Sequence, residues 1–266
     1  FPYTTLFRSD DYYSFSSGSI RFFKKNSEPE LIGVAWLNNG EFHMINMDHT
    51  RIIQYKHYPV SHMARDTDCL FITKHSRIVC LFGIELSGKY DCSVNIFTYD
   101  EGGGDIFVSN FKTWYVCTNH LSRKIRGDTD NNIDSDIFYY YYVDTDNDAF
   151  IVPMRLINPI TIDIGTVFKV MSGCDDNQHS FDMAEDKFLG YNVFVCVEYR
   201  FKKRIKIQLF KIEDNQIIFY ENRDVYNPYE YKNGCNSEIS MINFVVLKNT
   251  LNFGFLLTLC PKQPMS

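Results

Sequence analysis

The stretch "NVFVCVEYRFKKRIKIQLFKIEDNQIIFYENRDV", Asn192 to Val225, decides how the whole chain is read. Val193, Val195 and Val197 alternate with Phe194, Cys196 and Glu198. That is the period-two pattern of a strand whose successive side chains leave opposite faces. "RFKKR", Arg200 to Arg204, turns the chain, after which Ile205, Ile207 and Leu209 alternate with Lys206 and Gln208. "EDN", Glu213 to Asn215, turns it again, and "QIIFYE" supplies a third strand. The segment is therefore expected to be an antiparallel meander of short strands.

The same order recurs along the chain. "ELIGVAWLNNGEFHMINMDHTRIIQYKHY", Glu30 to Tyr58, repeats it around a strong "NNG" hairpin signal. "DCLFITKHSRIVCLFGIEL" leads into "CSVNIFTYDEGGGDIFVSNF", where "EGGG", Glu101 to Gly104, separates two strands. "DIFYYYYVDTDNDAFIVPMRL", Asp136 to Leu156, makes a hairpin through "DTDND" and continues into "IDIGTVFKV". "ISMINFVVLKNTLNFGFLLTLC" ends the series with a hairpin through "KNT". Helical periodicity is almost absent.

Four complete meanders and one incomplete one thus follow each other about every 45 to 55 residues, the period of a β-propeller. A small antiparallel sheet has two faces and cannot bury both alone, whereas radial stacking hides each face behind the next sheet. The expectation is an all-β, β-propeller-like array of antiparallel meanders forming an incomplete ring. The expected blades are 18–62, 63–118, 134–173, 190–228 and 238–266, within one domain spanning 10–266. Two β-sandwich-like domains are the alternative that the same strands allow. No repeat carries the Trp-Asp ending of WD40 blades, so the chain resembles propellers in organisation.

"FPYTTLFRS", Phe1 to Ser9, matches the translated end of a short-read sequencing adapter and is set aside as non-native. The chain is accordingly expected to be a fragment of a longer protein. A ring short of blades would expose a sheet near Ser19 to Lys24 or near Phe253 to Cys260. The 266 residues are 45% hydrophobic and 23% charged, a globular composition, and the net charge is −6. That charge argues against nucleic acid as a partner, and no apolar run is long enough for a membrane helix. Several of the eight cysteines sit inside apolar runs, as Cys80, Cys196 and Cys260 do. They read as free thiols acting as small hydrophobes, which with the lack of any N-x-S/T sequon points to a cytoplasmic or nuclear location.

Few constellations carry chemistry. "GDTDNNIDSDIFYYYY", Gly127 to Tyr142, resembles the calcium loops of FG-GAP propellers, in which oxygen ligands precede a strand. The resemblance assigns Asp128, Asp130, Asn132 and Asp136 as ligands for Ca²⁺, with Ile133 where such loops place a turn-making Gly. An Asp/Asn-rich solvated turn is the alternative, and "VDTDNDAF", Val143 to Phe150, reads as a plain hairpin turn. The basic cluster Arg200, Lys202, Lys203, Arg204 and Lys206 reads as a solvated turn. His43, His49, His57 and His62 lie close in sequence but on different strands and loops. No nucleophile elbow, phosphate-binding loop, dinucleotide fingerprint or zinc-protease motif occurs. "EGGGD" joins strands and offers no helix terminus to a phosphate.

The expected function is a non-catalytic protein-interaction (scaffold) module that binds a protein partner, with no cofactor. Two other classes share the fold: an extracellular calcium-containing adhesion or lectin-like propeller, and a glycoside hydrolase fragment. The second of these requires a carboxylate pair that only a three-dimensional arrangement reveals.

Overall fold

A computed structural model describes residues 20–24, 31–37, 41–47, 52–59, 64–75, 77–86, 89–99, 106–107, 114–118, 122–127, 136–176, 180–186, 190–200, 204–226, 237–246 and 253–261. Phe1 to Ser9 lie outside them. Among the described residues every extended element is a strand, and the strands form five antiparallel sheets.

The first sheet runs in chain order through β1 (Ile20–Lys24), β2 (Leu31–Leu37), β3 (Glu41–Met47) and β4 (Ile52–Pro59). The second orders β5 (Ala64–Ile72), β6 (Arg77–Leu86) and β7 (Lys89–Tyr99), and β7 then pairs with both β8 (Ile106–Phe107) and β9 (Trp114–Thr118). The third repeats that plan with β10 (Ser122–Gly127), β11 (Ile137–Val143) and β12 (Asp148–Asn158), whose outer side carries β13 (Thr161–Ile164) and β14 (Phe168–Ser172). The fourth is β15 (Phe181–Asp186), β16 (Tyr191–Val197), β17 (Arg204–Glu213) and β18 (Gln216–Tyr226). The fifth pairs β19 (Ser237–Val246) with β20 (Phe253–Pro261). The first strands lie one against the next, β1 on β5, β5 on β10, β10 on β15 and β15 on β19. They form the inner wall of a propeller-like array that, among the described residues, does not close into a ring.

The third and fourth sheets begin upstream of the segments 134–173 and 190–228. β10 and β15 read "SRKIRG" and "FDMAED", short and charged, without the apolar alternation that marks the strands after them. Backbone pairing to β11 and β16 makes them strands nonetheless.

The split outer strand of the third sheet has a local cause. Pro153 sits in the middle of β12 with no N–H to donate. β13 pairs with β12 from Met154 onward and β14 pairs with it up to Ile151. At the gap Gly165 donates its N–H to the Pro153 carbonyl at 2.8 Å. A Cβ at Gly165 would lie 2.9 Å from that same oxygen, so only glycine makes the approach.

The principal core lies between the third and fourth sheets. Tyr139, Tyr141, Val143, Ala149 and Ile151 face Phe181, Met183, Phe194, Cys196 and Phe210. The other side of the fourth sheet buries Ala184, Val193, Val195, Val197 and Ile205. All four tyrosines from Tyr139 to Tyr142 are buried, alternating between the two faces of β11. Tyr141 packs edge-on against Phe181 and Phe194, with centroids 6.0 and 6.1 Å away. Its hydroxyl donates to Asp182 Oδ1 at 2.8 Å, and the Met183 N–H donates to the same oxygen at 2.9 Å. A buried carboxylate needs such donors.

The free-thiol expectation is corrected. Cys174, just beyond β14, is disulfide-bonded to Cys196 in β16, and Cys80 is also disulfide-bonded. In sequence, Cys80 and Cys196 look like apolar fillers because they sit in apolar runs. Cys80, Cys174 and Cys196 do lie in the core, and there the crossover between sheets brings Cys174 beside a strand residue 22 positions further on.

Replacing Tyr141 with Phe removes a buried donor from Asp182 while keeping the ring. The expected cost is about 1–3 kcal/mol, or about 2–4 °C in Tm for each kcal/mol in a chain of this size. Thermal melting checks it, and an unchanged Tm would remove this bond from any role in joining the sheets.

Candidate interaction surface

Because each sheet is a meander, its turns divide between two rims. We call lower the rim that carries the turns from first to second and from third to fourth strands. The upper rim carries the second-to-third turns and the crossovers to the next sheet.

On the lower rim the turn Thr73–His75, between β5 and β6, reaches across to the third sheet. Lys74 Nζ donates to Asp136 Oδ2 at 3.1 Å, and Arg155 Nε donates to Asp136 Oδ1 at 3.0 Å. His75 Nε2 donates to the Leu156 carbonyl at 2.9 Å and Arg77 Nε to that of Pro159 at 3.2 Å. Burial pushes the Asp136 carboxyl up, but the hydrogen bonds from Lys74 and Arg155, with their charges, outweigh it and hold the group below the usual carboxylate range. Of the four residues assigned to calcium, Asp128, Asp130 and Asn132 lie outside the described residues. Asp136 is described, and each of its oxygens accepts from a cation.

The upper rim is built from tight turns. Asp144 Oδ1 accepts from the N–H groups of Asp146 and Asp148 at 3.0 and 2.9 Å, and Asn147 takes a φ of 64°. This is the side-chain-to-backbone turn that Asp favours, so "DTDND" is a hairpin turn. The Asn147 carbonyl accepts from the N–H of Gly173 and of Cys174, and the Tyr199 N–H donates to Gly173, which stitches the third sheet to the fourth. Arg204 pairs with Glu198 through both carboxylate oxygens and reaches Asp224 at 3.3 Å. Lys206 donates to the Ser172 carbonyl. The basic cluster is thus partly consumed by the fold: Arg204 and Lys206 are anchors, Arg200 is exposed, and Lys202 and Lys203 lie outside the described residues. Hydrogen bonding from Arg204 outweighs burial and holds the Glu198 carboxyl low. Backbone register sets His43 opposite His57, while His49 and His62 lie outside the described residues.

Among the described residues, six exposed apolar side chains stand on the lower half of the third and fourth sheets, while Ile164 and Val167 are exposed further along the third sheet and Tyr199 on the upper rim. Ile137 begins β11, and Ile157 and Ile160 flank the β12–β13 turn at 55% and 53% exposure. Ile218, Phe219 and Tyr220 begin β18, the outer edge of its sheet among the described residues, and are exposed consecutively. They follow one another because both faces of this edge strand are open, residues 218–224 all being exposed, and within it a bulge pairs Phe210 with Phe219 and Leu209 with Glu221, leaving Tyr220 as the extra residue. Nothing in the alternation of "QIIFYE" marks it as an edge strand open on both faces, so alternation alone does not reveal this surface. Among the described residues no group of three or more His, Cys, Asp or Glu side chains is placed to hold a metal ion.

With that geometry in view, the chain falls in the class of β-propeller-type folds. A protein of Bacteroides fragilis, given as a candidate 6-phosphogluconolactonase, superimposes with a TM-score of 0.53 at 11% identity, covering 89% of this chain and 67% of its own. The Aleuria aurantia lectin, solved with α-methyl-L-fucoside, gives 0.48 at 9% identity, covering 85% of this chain and 66% of its own. TolB of Acinetobacter baumannii gives 0.38 at 15% identity over 75% of this chain, which spans 41% of that protein. Identities this low speak to the fold alone. No family model and no curated protein matches the sequence.

Asp136 gives a pH prediction. A carboxyl whose folded pKa is depressed contributes stability above its unfolded value, about 3.9, and loses it as pH falls through the folded value. Asp136→Asn is expected to be less stable than the parent at pH 7. The difference shrinks as pH drops below about 4, since the parent then loses the same charge. Denaturant titrations at pH 7, 5 and 3 read it, and a pH-independent gap would contradict the assignment.

Proposed function

We propose that this chain is a non-catalytic protein-interaction module that holds a protein partner on its lower rim. One observation carries the reading. Ile137, Ile157, Ile160, Ile218, Phe219 and Tyr220 stand exposed on neighbouring sheets of one half of the molecule. Concentrated apolar exposure of this kind marks interaction surfaces. On the upper rim, by contrast, Arg204 is held within the fourth sheet by Glu198 and Asp224, and Lys206 reaches the Ser172 carbonyl of the third. Propellers supply such a surface from loops and edges of several blades without needing a catalytic group.

The expected test pairs two changes. Ile157→Glu with Ile160→Glu, all at exposed positions, leaves Tm within the small range of surface substitutions and lowers partner retention about tenfold or more, a loss of about 1.4 kcal/mol. Arg200→Gln, at an exposed upper-rim position, leaves retention unchanged. Cross-linking coupled to affinity co-purification measures both. The reading fails if the partner lets go only on the upper-rim change, or if no protein cross-links to the lower rim.

A second reading, an extracellular calcium-containing adhesion or lectin-like propeller, draws support from the Cys174–Cys196 disulfide, because such bonds persist in oxidising compartments. Thiol counting without reductant on material from its native source separates it from the cytoplasmic or nuclear reading. Eight free thiols would end it, and so would an absence of heat on titrating millimolar Ca²⁺ into a chain that starts near Asp10.

A further inference from the structure

We infer that Cys80 is joined to Cys69, and that the chain takes up this disulfide and Cys174–Cys196 by exchange with an oxidised dithiol partner. The inference goes beyond the interaction-module reading and does not depend on it.

Cys80 is disulfide-bonded and completely buried in β6, so its partner comes from the same chain and from within the fold. Backbone register narrows the choice. Cys69 in β5 stands directly opposite Cys80, with Leu70 opposite Val79 and Asp68 opposite Leu81 on either side. Residues opposed in this way share one face of the sheet, and their Cα atoms are about 4.5–5.5 Å apart. A disulfide spans Cα separations of about 4.4–6.8 Å. The backbone therefore closes this bond without moving.

The other cysteines are placed elsewhere. On the far side of β6, Asn95 of β7 stands across from Cys80, whereas Cys92 stands across from Gly83. Gly83 follows Cys80 by three positions, which puts Cys92 on the other face of the sheet, and there the register sets it opposite Cys117 of β9. Cys174 and Cys196 are bonded to each other. Cys260 belongs to β20 of the fifth sheet. Cys235 is two residues in sequence from the start of β19, a reach of about 7 Å. The third and fourth sheets stand between that sheet and the second. Cys69 alone meets the requirement.

Forming each bond removes two electrons and two protons from a pair of thiols, so an acceptor is required. A disulfide supplies it, carried by a thiol–disulfide oxidoreductase or by glutathione disulfide. One cysteine thiolate attacks a sulfur of that disulfide, which makes a mixed disulfide and releases one partner thiolate. The second cysteine of the pair then displaces the other partner sulfur. The S–S bond ends in this chain, and the partner leaves as two thiols that hold both electrons and both protons. Because Cys80 is buried once β6 is paired, this exchange belongs to the stage before the second sheet closes.

The experiment uses the full chain, produced through a secretory route, denatured in iodoacetamide without reductant and cut with trypsin. Lys74 and Arg77 lie between the two cysteines, so the digest separates Asp66–Lys74 from Ile78–Lys89. Mass spectrometry is expected to find these two peptides joined and neither alkylated. Recovery of either one alkylated, or of Cys80 joined to any other cysteine, overturns the inference. Reduced, denatured chain refolded with glutathione disulfide should regain the joined pair. Refolded in dithiothreitol it should not, and its Tm should lie lower by about 5 °C or more. Cys69→Ser, made by the same secretory route, should leave Cys80 open to alkylation on denaturation. A variant in which Cys80 stays protected overturns the pairing even where the parent digest is ambiguous.

Discussion

The contact on which the rest of the molecule depends is Tyr141 against the fourth sheet. A four-stranded antiparallel sheet with apolar residues on both faces is not stable by itself, and Tyr141 is where the third sheet acquires its neighbour. Its ring packs edge-on against Phe181 and Phe194, and its hydroxyl is one of the donors that the buried Asp182 carboxylate accepts from. Apolar packing brings the sheets together, and this directional bond fixes how they sit. On the upper rim, Asn147, Gly173 and Tyr199 extend the fixation through backbone hydrogen bonds.

That arrangement separates the two rims chemically. On the upper rim two cations are engaged internally, Arg204 with Glu198 and Asp224, Lys206 with the Ser172 carbonyl. The lower rim joins the second sheet to the third through one turn and one shared carboxylate, and leaves isoleucines uncovered beside it. A surface built of saturated turns discriminates poorly among partners. A surface with uncovered apolar side chains and partly satisfied cations has free energy still to gain from contact.

Much of the architecture was legible because strand alternation is local: Val193 to Val197 and Ile205 to Leu209 announce both strands and their buried faces. The recurrence of such units identified the array. What escaped reading was non-local. β10 and β15 are strands because β11 and β16 offer them backbone partners, not because of their own side chains. Asp136 was legible as an acidic residue before a strand. Its two cations come from Lys74, in another sheet, and Arg155, across a hairpin, and spacing encodes neither. The Cys174–Cys196 bond hid for the same reason, since each cysteine alone is an ordinary apolar filler.

The disulfide also changes what the chain is as a covalent object. Residues 174 to 196 become a closed loop that holds all of β15, the inner strand of the fourth sheet. Cleavage anywhere inside that loop would leave the two halves joined as one molecule. Tension along the backbone would likewise pass from Cys174 to Cys196 directly, sparing β15 the load. The junction between these two sheets is thus a rivet as well as a packed surface.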